Sequence, residues 1–295
     1  MSVLLDKLST GKVLLLDGAM GTTLQKRGLK PGQCPESWNV SQPHKIQQVI
    51  AEYVAVGADI VETNSFGGTS FKLKQFGLAD KVFEYNNLAA QISRRAAGKN
   101  VLVAGSIGPT GQFLQPLGEV SEQDMYLAYQ QQVTALADGG ADVFFIETMM
   151  ALDEAHVAFR AARQNTQLPV VVSFTFEKNA NGLYRTIMGV SPEQVAAEFT
   201  AAGADIIGSN CGSGIVQMID ICREIAQHTD KYIFIKPNAG LPVLENGQTV
   251  FKETPEQMAE HVDELIDCGV NLFGGCCGTT AEHIKAFRQI LDAHN

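Results

Sequence analysis

Two adjacent cysteines, Cys276 and Cys277, stand in the stretch FGGCCGTT, and a third, Cys211, stands in GSNCGSG. Cysteine thiolates bind Zn²⁺, and three protein ligands with an open fourth position are typical of a catalytic zinc site. A vicinal pair can also be a redox dithiol or fill a tight turn, and a lone cysteine is often only a buried small residue. The spacing is not a compact C-x-x-C motif, so all these interpretations stay open at this point.

Eight short apolar runs, each followed by a longer amphipathic or alanine-rich stretch, must position these cysteines. They are VLLLD at 13, ADIVET at 58, VLVAGS at 101, VFFIET at 143, VVVSF at 170, ADIIGSN at 204, YIFIKPN at 232 and VNLFGG at 270. Uniformly apolar strands are typical of a parallel sheet whose faces are covered, and parallel neighbours need a long crossover, usually a helix. The pattern predicts an α/β fold, a (β/α)8 TIM barrel that forms a single domain over residues 1–295.

Two further patterns bear on this fold. Three strand junctions repeat Gly-Ala-Asp, with a weaker echo at residues 268–271, and the glycine of each fits the end of a helix. The chain has no G-x-G-x-x-G after its first strand and no linker-like segment, which disfavours a doubly wound sheet or two domains.

Polar residues at the carboxyl ends of the strands are the first candidates for an active site, because barrel enzymes build their sites there. Three are carboxylates, Asp17, Glu62 and Glu147. Asp17 and Glu147 follow strongly apolar strands, and each is suited to receive a substrate ammonium, or else to cap the following helix or pair with a nearby arginine. The backbone N–H groups of Gly18, Ala19 and Met20 are placed to bind a carboxylate.

Composition excludes several classes of function. The chain has 295 residues, 45% of them hydrophobic, six cysteines and a formal net charge of −10. The cysteines are too few for a disulfide scaffold, and no basic stripe is present for nucleic acid. No long uncharged apolar run predicts a membrane span, and the first residues do not resemble a secretory signal, so we expect a cytoplasmic protein.

Eight motifs in order resemble the homocysteine S-methyltransferase family, and most closely the homocysteine-binding modules of cobalamin-dependent methionine synthases. The resemblance extends from about residue 13 to about residue 290. The motifs are LLLDGAMGT, CPESWN, TNSFGG, GSIGPTG, FIET, GSNCGSG, KPNAGLP and GGCCGTTAEHI.

The resemblance implies a zinc-dependent enzyme that methylates homocysteine to methionine. It assigns one Zn²⁺ per chain to Cys211, Cys276 and Cys277, with the homocysteine sulfur as fourth ligand. It assigns the substrate amino group to Glu147. The turn of Asp17, Gly18 and Ala19 would hold the amino-acid end, and Asn210 and Ser173 match pocket positions.

The methyl donor stays open at the level of the sequence. The resemblance favours methylcobalamin carried by a separate corrinoid protein or module, because the chain ends at Asn295 without length for such modules. Stand-alone relatives use S-methylmethionine or betaine. Two further alternatives are a non-catalytic zinc- or thiol-binding subunit of a methyl-transfer complex, and a barrel that binds phosphate after its eighth strand. The natural acceptor is homocysteine or a similar thiol.

Overall fold

Eight parallel strands form the centre of the computed structural model, which describes residues 2–245 and 248–294. Each strand overlaps one of the eight apolar runs. They are β1 Leu14–Leu15, β2 Ile60–Glu62, β3 Leu102–Ile107, β4 Val143–Met149, β5 Val170–Phe174, β6 Ile206–Asn210, β7 Tyr232–Lys236 and β8 Leu272–Phe273.

The strands pair in the order β1-β8-β7-β6-β5-β4-β3-β2. A parallel bridge between Leu16 and Ile60 joins the first strand to the second and closes the sheet. The predicted (β/α)8 barrel is therefore confirmed, and all eight carboxyl ends lie at one face.

Helices surround the barrel. They are α1 Val3–Leu8, α2 Gly21–Lys26, α3 Trp38–Ser41, α4 Pro43–Ala55, α5 Ser70–Lys74, α6 Val82–Ala97, α7 Glu122–Asp138, α8 Leu152–Asn165, α9 Pro192–Ala202, α10 Ile215–Ala226, α11 Pro255–Ala259, α12 Val262–Asp267 and α13 Ala281–His294, with 3-10 turns at Pro35–Ser37 and Ala79–Lys81. None of the helices in the described residues is both long and apolar enough to cross a membrane.

The strands are apolar on both faces because two cores meet on them. Along β4, Phe145 packs inside the barrel, while Phe144 and Ile146 pack against the surrounding helices. Successive side chains of a strand point to opposite faces, so a strand buried on both sides needs apolar residues throughout. Leu4 and Leu8 of α1 join the inner core. Helix α1 therefore packs against the interior of the barrel.

The repeated Gly-Ala-Asp junctions carry out two tasks. Their glycines have positive φ, as the predicted helix ends require: 97° at Gly57, 100° at Gly140, 83° at Gly203 and 89° at Gly269. The following Asp or Asn side chain accepts a backbone N–H from the preceding strand, which the sequence pattern did not predict. These bonds are Leu15 to Asp59, Val103 to Asp142, Val170 to Asp205 and Ile233 to Asn271. The strands are thus tied in pairs, β1 with β2, β3 with β4, β5 with β6 and β7 with β8.

Two short antiparallel hairpins lie in the loops after β5 and β7. Glu177–Lys178 pairs with Tyr184–Arg185, and Val243–Glu245 pairs with Gln248–Val250. The sequence analysis did not predict them. Both follow a carboxyl end of the barrel and so extend the face that holds the candidate site.

Candidate metal and substrate site

The three predicted metal ligands meet at the carboxyl end of the barrel. Cys211 directly follows β6, and Cys276 and Cys277 lie in the loop after β8. Their Sγ atoms all lie within 4.8 Å of one another, and those of Cys211 and Cys277 are 4.0 Å apart. Sulfur atoms around a tetrahedral zinc with Zn–S bonds of about 2.3 Å are separated by about 3.8 Å. Only a small closure of the cluster is therefore needed to surround one Zn²⁺.

The chemistry of the donor set also fits a dication. Hydrogen bonds from the Cys276 and Cys277 thiols lower the pKa of Cys211 to about 3. The hydrogen bond to Cys211 raises the pKa of Cys276 to about 12, and bonding to its two neighbours raises the pKa of Cys277 as well. The cluster thus forms one thiolate readily and retains its other protons until a cation replaces them. Three soft sulfur donors are the set that zinc prefers.

The loop after β7 holds the two cysteine loops together. The Cys211 N–H donates to the carbonyl of Lys236 at 3.1 Å. The side-chain oxygen of Asn238 accepts the N–H of Cys277 at 3.0 Å, and its own N–H donates to the carbonyl of Ser213 at 3.0 Å. The thiols are therefore positioned by backbone and amide groups of three adjacent loops.

Glu147 lies near the end of β4 and lines the same cavity as the cysteines, which has a volume of about 420 Å³. Its Oε1 accepts the hydroxyl of Ser106 at 2.5 Å, and its Oε2 accepts the amide of Asn210 at 3.3 Å. Burial raises the pKa of Glu147 to about 7. Glu147 therefore lines the cavity, and its contact with a substrate amino group stays a prediction.

Asn210 and Ser173 support this site from behind. The Asn210 Oδ1 accepts the Ser173 hydroxyl at 2.7 Å and the Thr148 N–H at 2.8 Å, while its Nδ2 donates to the Thr148 hydroxyl at 2.7 Å. Asn210 lines the cavity, but Ser173 is fully buried and does not. The structure therefore gives Ser173 a contact with Asn210, and its contact with substrate stays a prediction.

Asp17 is buried among partners from the chain itself. Its Oδ1 lies 3.3 Å from the ammonium of Lys236, and its Oδ2 accepts the N–H of Glu62 at 2.7 Å. The Lys236 ammonium also lies 2.7 Å from Glu62 Oε2. The geometry favours a structural role for Asp17, although its cationic partner is Lys236 and not the predicted arginine, and direct contact with a substrate ammonium stays a prediction. The sequence did not single out Lys236, so this buried pairing was missed.

Burial dominates the electrostatics of this acidic group. It raises the pKa of Asp17 to about 7 and that of Glu62 to about 8. Burial by itself would lower the pKa of Lys236, but the charges of Glu62 and Asp17 outweigh it and raise that pKa well above the usual value. Lys236 is therefore a fixed positive charge between carboxylates. A charged residue that ends an apolar strand was the sequence signal for it.

The turn after β1 retains two open donors. The N–H of Ala19 donates to the Thr279 hydroxyl at 3.1 Å, whereas the N–H groups of Gly18 and Met20 have no acceptor among the described residues. A Cβ on Gly18 would lie 2.9 Å from the ring of Tyr53, so a larger residue would not fit. Gly18, Ala19 and Met20 line the cavity, as the predicted carboxylate site requires.

Residues 14–291 match the family model described as homocysteine S-methyltransferase. The chain therefore belongs to the homocysteine S-methyltransferase family. It is 33% identical over 294 residues to the methionine synthase of Mycobacterium leprae, covering 93% of this chain and 24% of that protein. It is also 33% identical over 302 residues to the methionine synthase of Mycobacterium tuberculosis, covering 96% and 25%. The chain thus spans about a quarter of the length of these relatives.

Solved structures share the fold. The metallated form of the homocysteine methyltransferase MmuM from Escherichia coli superposes with a TM-score of 0.80 at 24% identity, covering 97% of this chain and 98% of that one. A methyltransferase from Methanosarcina mazei gives a TM-score of 0.59 at 13% identity, covering 96% and 94%. At these identities the likeness supports the barrel alone.

Proposed function

We propose that residues 1–295 form a homocysteine-binding domain that methylates homocysteine to methionine and holds one Zn²⁺ through Cys211, Cys276 and Cys277. The observation that carries this proposal is the cluster of three Sγ atoms within 4.8 Å of one another at the carboxyl end of the barrel. Bound there, Zn²⁺ would hold the substrate thiol as a nucleophilic thiolate at neutral pH.

The chain's own residues orient the substrate. Glu147 accepts the α-ammonium, and the open N–H groups of Gly18 and Met20 receive the carboxylate. With its ammonium and carboxylate both bound, the substrate has its sulfur held at the cysteine cluster. The reaction then needs no chance encounter between the sulfur and the cluster. The sulfur then gives an electron pair to the methyl carbon of the donor as the bond between that carbon and its carrier breaks.

The donor we favour is methylcobalamin on a corrinoid protein or module. Support comes from the loops that follow β2, β3, β5 and β7, because they carry exposed apolar side chains at the end of the barrel that holds the cavity. These are Phe66, Phe113, Leu117, Leu183, Ile187 and Leu244. A face that exposes many large apolar residues is typical of a surface that contacts another protein. The relatives named methionine synthase are also much longer than this chain and so have length for other modules.

A stand-alone methyltransferase that uses S-methylmethionine or betaine is the second candidate. One observation favours it: the chain and MmuM cover each other almost completely, at 97% and 98%. A barrel that binds phosphate after β8 fits less well, because two cysteines of the cluster occupy that loop. A cytoplasmic location stays a prediction from the sequence.

A donor panel tests the proposal. The zinc-loaded chain is incubated with homocysteine and, in turn, a methylated corrinoid protein, free methylcobalamin, S-methylmethionine and betaine, and methionine is measured. We expect methionine with the corrinoid donors, about one zinc per chain, and loss of both zinc and turnover in Cys276→Ala. Cys268→Ser is the matched control, because Cys268 lies outside the cluster. Full activity without zinc would contradict the proposal, and zinc binding without methionine from any donor would favour a non-catalytic subunit.

A further inference from the structure

Glu62 has a buried acceptor without a partner next to the cavity. It ends β2 and lines the cavity with the cysteine cluster. Its Oε2 lies 2.7 Å from the Lys236 ammonium, but its Oε1 is buried and has no hydrogen-bond partner among the described residues. Burying a carboxylate oxygen without a donor is costly. The geometry therefore indicates that a ligand brings the missing donor.

Glu147, by contrast, already has a partner on each oxygen, Ser106 on Oε1 and Asn210 on Oε2. A carboxylate oxygen has room for more than one hydrogen bond, so Glu147 remains able to contact a substrate. Of the three glutamates that line this cavity, Glu36, Glu62 and Glu147, only Glu62 has an oxygen without any partner among the described residues. β2 and β4 flank β3, so both carboxylates arise from the same sector of the barrel.

The charges in this sector point to the same kind of ligand. Three buried carboxyl groups, Asp17, Glu62 and Glu147, surround a single buried cation, Lys236. Among the described residues that line the cavity, Lys236 is the only lysine, arginine or histidine. A ligand that carries an ammonium supplies the second positive charge and donates hydrogen bonds to carboxylate oxygens.

We propose that Glu62 Oε1 accepts a hydrogen bond from the α-ammonium of the substrate, which makes Glu62 a specificity-determining residue beside Glu147. The inference rests on the proposed function in one respect, that the substrate is an amino acid with a side-chain thiol. It adds that the cavity selects thiols with a free α-amino cation over the same thiols without one. Lys236 is a positioning residue, since it holds the other oxygen of Glu62.

Binding of two ligands that differ only in the amino group tests the inference. Dissociation constants of the zinc-loaded chain are measured by titration calorimetry for homocysteine and for 4-mercaptobutyrate, which lacks the amino group. We expect Glu62→Gln to weaken homocysteine about tenfold or more, as loss of a charge-assisted hydrogen bond does, and 4-mercaptobutyrate less than about twofold. Equal weakening of both ligands, or of neither, would overturn the inference.

Glu154→Gln is the matched control. Glu154 is another buried glutamate, but it does not line the cavity, and its Oε1 accepts the Thr110 N–H at 2.7 Å and the Tyr129 hydroxyl at 2.9 Å. We expect its substitution to leave the ratio of the two dissociation constants unchanged. A shift of that ratio as large as the one in Glu62→Gln would mean that any lost buried charge has this effect, and the inference would fail.

A crystal structure of the unsubstituted chain with homocysteine decides the matter if Glu62→Gln does not fold. A substrate nitrogen within about 3.2 Å of Glu62 Oε1 supports the inference, and one beyond about 4 Å overturns it. Neither experiment requires a methyl donor. Selective binding without methionine formation would therefore leave this inference standing while the proposed methyl transfer fails.

Discussion

Asn210 connects the proposed metal ligands to Glu147 through one side chain. It immediately precedes Cys211, and its side-chain amide donates a hydrogen bond to Glu147. The same amide accepts the backbone N–H of Thr148 and donates to the Thr148 hydroxyl. Thr148 and Cys211 have φ of 59° and 61°. Non-glycine residues are uncommon in this left-handed region, and a β-branched threonine there is strained, by roughly 1–3 kcal/mol. The amide of Asn210 is the contact that keeps Thr148 in this conformation.

Asn210→Ala tests this residue-scale role. The substitution leaves the Thr148 N–H and the Ser173 hydroxyl without an acceptor inside the protein, which costs about 1–3 kcal/mol for each group. We expect the free energy of unfolding in urea to fall by about 2 kcal/mol or more and homocysteine affinity to fall with it. Asn165→Ala is the control, because Asn165 is exposed on α8 and should change stability by less than about 0.5 kcal/mol. Unchanged stability in Asn210→Ala would disprove the role.

At the scale of elements, His283 anchors the start of α13 behind the cysteine loop. Its Nδ1 accepts the Thr280 N–H at 3.1 Å, and its Nε2 lies 3.0 Å from the carbonyl of Glu253. A ring that accepts at Nδ1 and donates at Nε2 is neutral. Burial lowers the pKa of His283 below the usual 6.5. The helix thus begins on an imidazole that must stay deprotonated.

The sign of the resulting pH dependence follows from the lowered pKa. Above the unfolded value of about 6.5 neither state binds the proton, whereas below it the unfolded chain does so first. The stability that neutral His283 contributes is therefore present above pH 6.5 and is lost as the pH falls from there toward the folded pKa. The loss is about 1.4 kcal/mol for each unit that separates the two pKa values.

The prediction is read as the difference in unfolding free energy between the unsubstituted chain and His283→Gln, at pH 7.5 and pH 5.5. We expect this difference to decrease at the lower pH, because glutamine does not titrate. His44→Gln is the matched control: His44 is exposed on α4, and its substitution should retain the full pH dependence. A difference that is the same at both pH values would show that His283 has no part in it.

At the scale of the whole molecule, the proposed metal site joins the loops that follow the carboxyl ends of β6 and β8, two strands that lie far apart in the sequence. Such a site exists only in the folded chain, so zinc binding adds to the free energy of folding. We expect zinc at about 100 times its dissociation constant to stabilise the metal-free chain by about 2.7 kcal/mol, measured as a rise in Tm. Cys268→Ser should retain this rise and Cys276→Ser should lose most of it. The same rise in both variants would place the zinc elsewhere.

Much of this protein could be predicted from local sequence. The eight apolar runs indicated eight parallel strands, and the glycines before four of them indicated helix ends, because backbone preferences and burial act on neighbouring residues. Once the barrel is predicted, its topology gathers the carboxyl ends of all strands at one face. That rule is why Cys211 could be expected beside Cys276 and Cys277. The two hairpins were not predicted, because their strands are only two or three residues long and largely exposed.

Only the tertiary structure decided how the polar side chains pair within that face. Asp17 was predicted to meet a substrate ammonium, cap a helix or pair with an arginine, and the structure gives it Lys236 as its partner. Glu62 has one carboxylate oxygen without a hydrogen-bond partner, whereas both oxygens of Glu147 have partners within the chain. The physical reason is that a sequence indicates which strand end carries a residue, whereas hydrogen bonds of about 3 Å depend on strand register and side-chain rotamers set by the whole barrel.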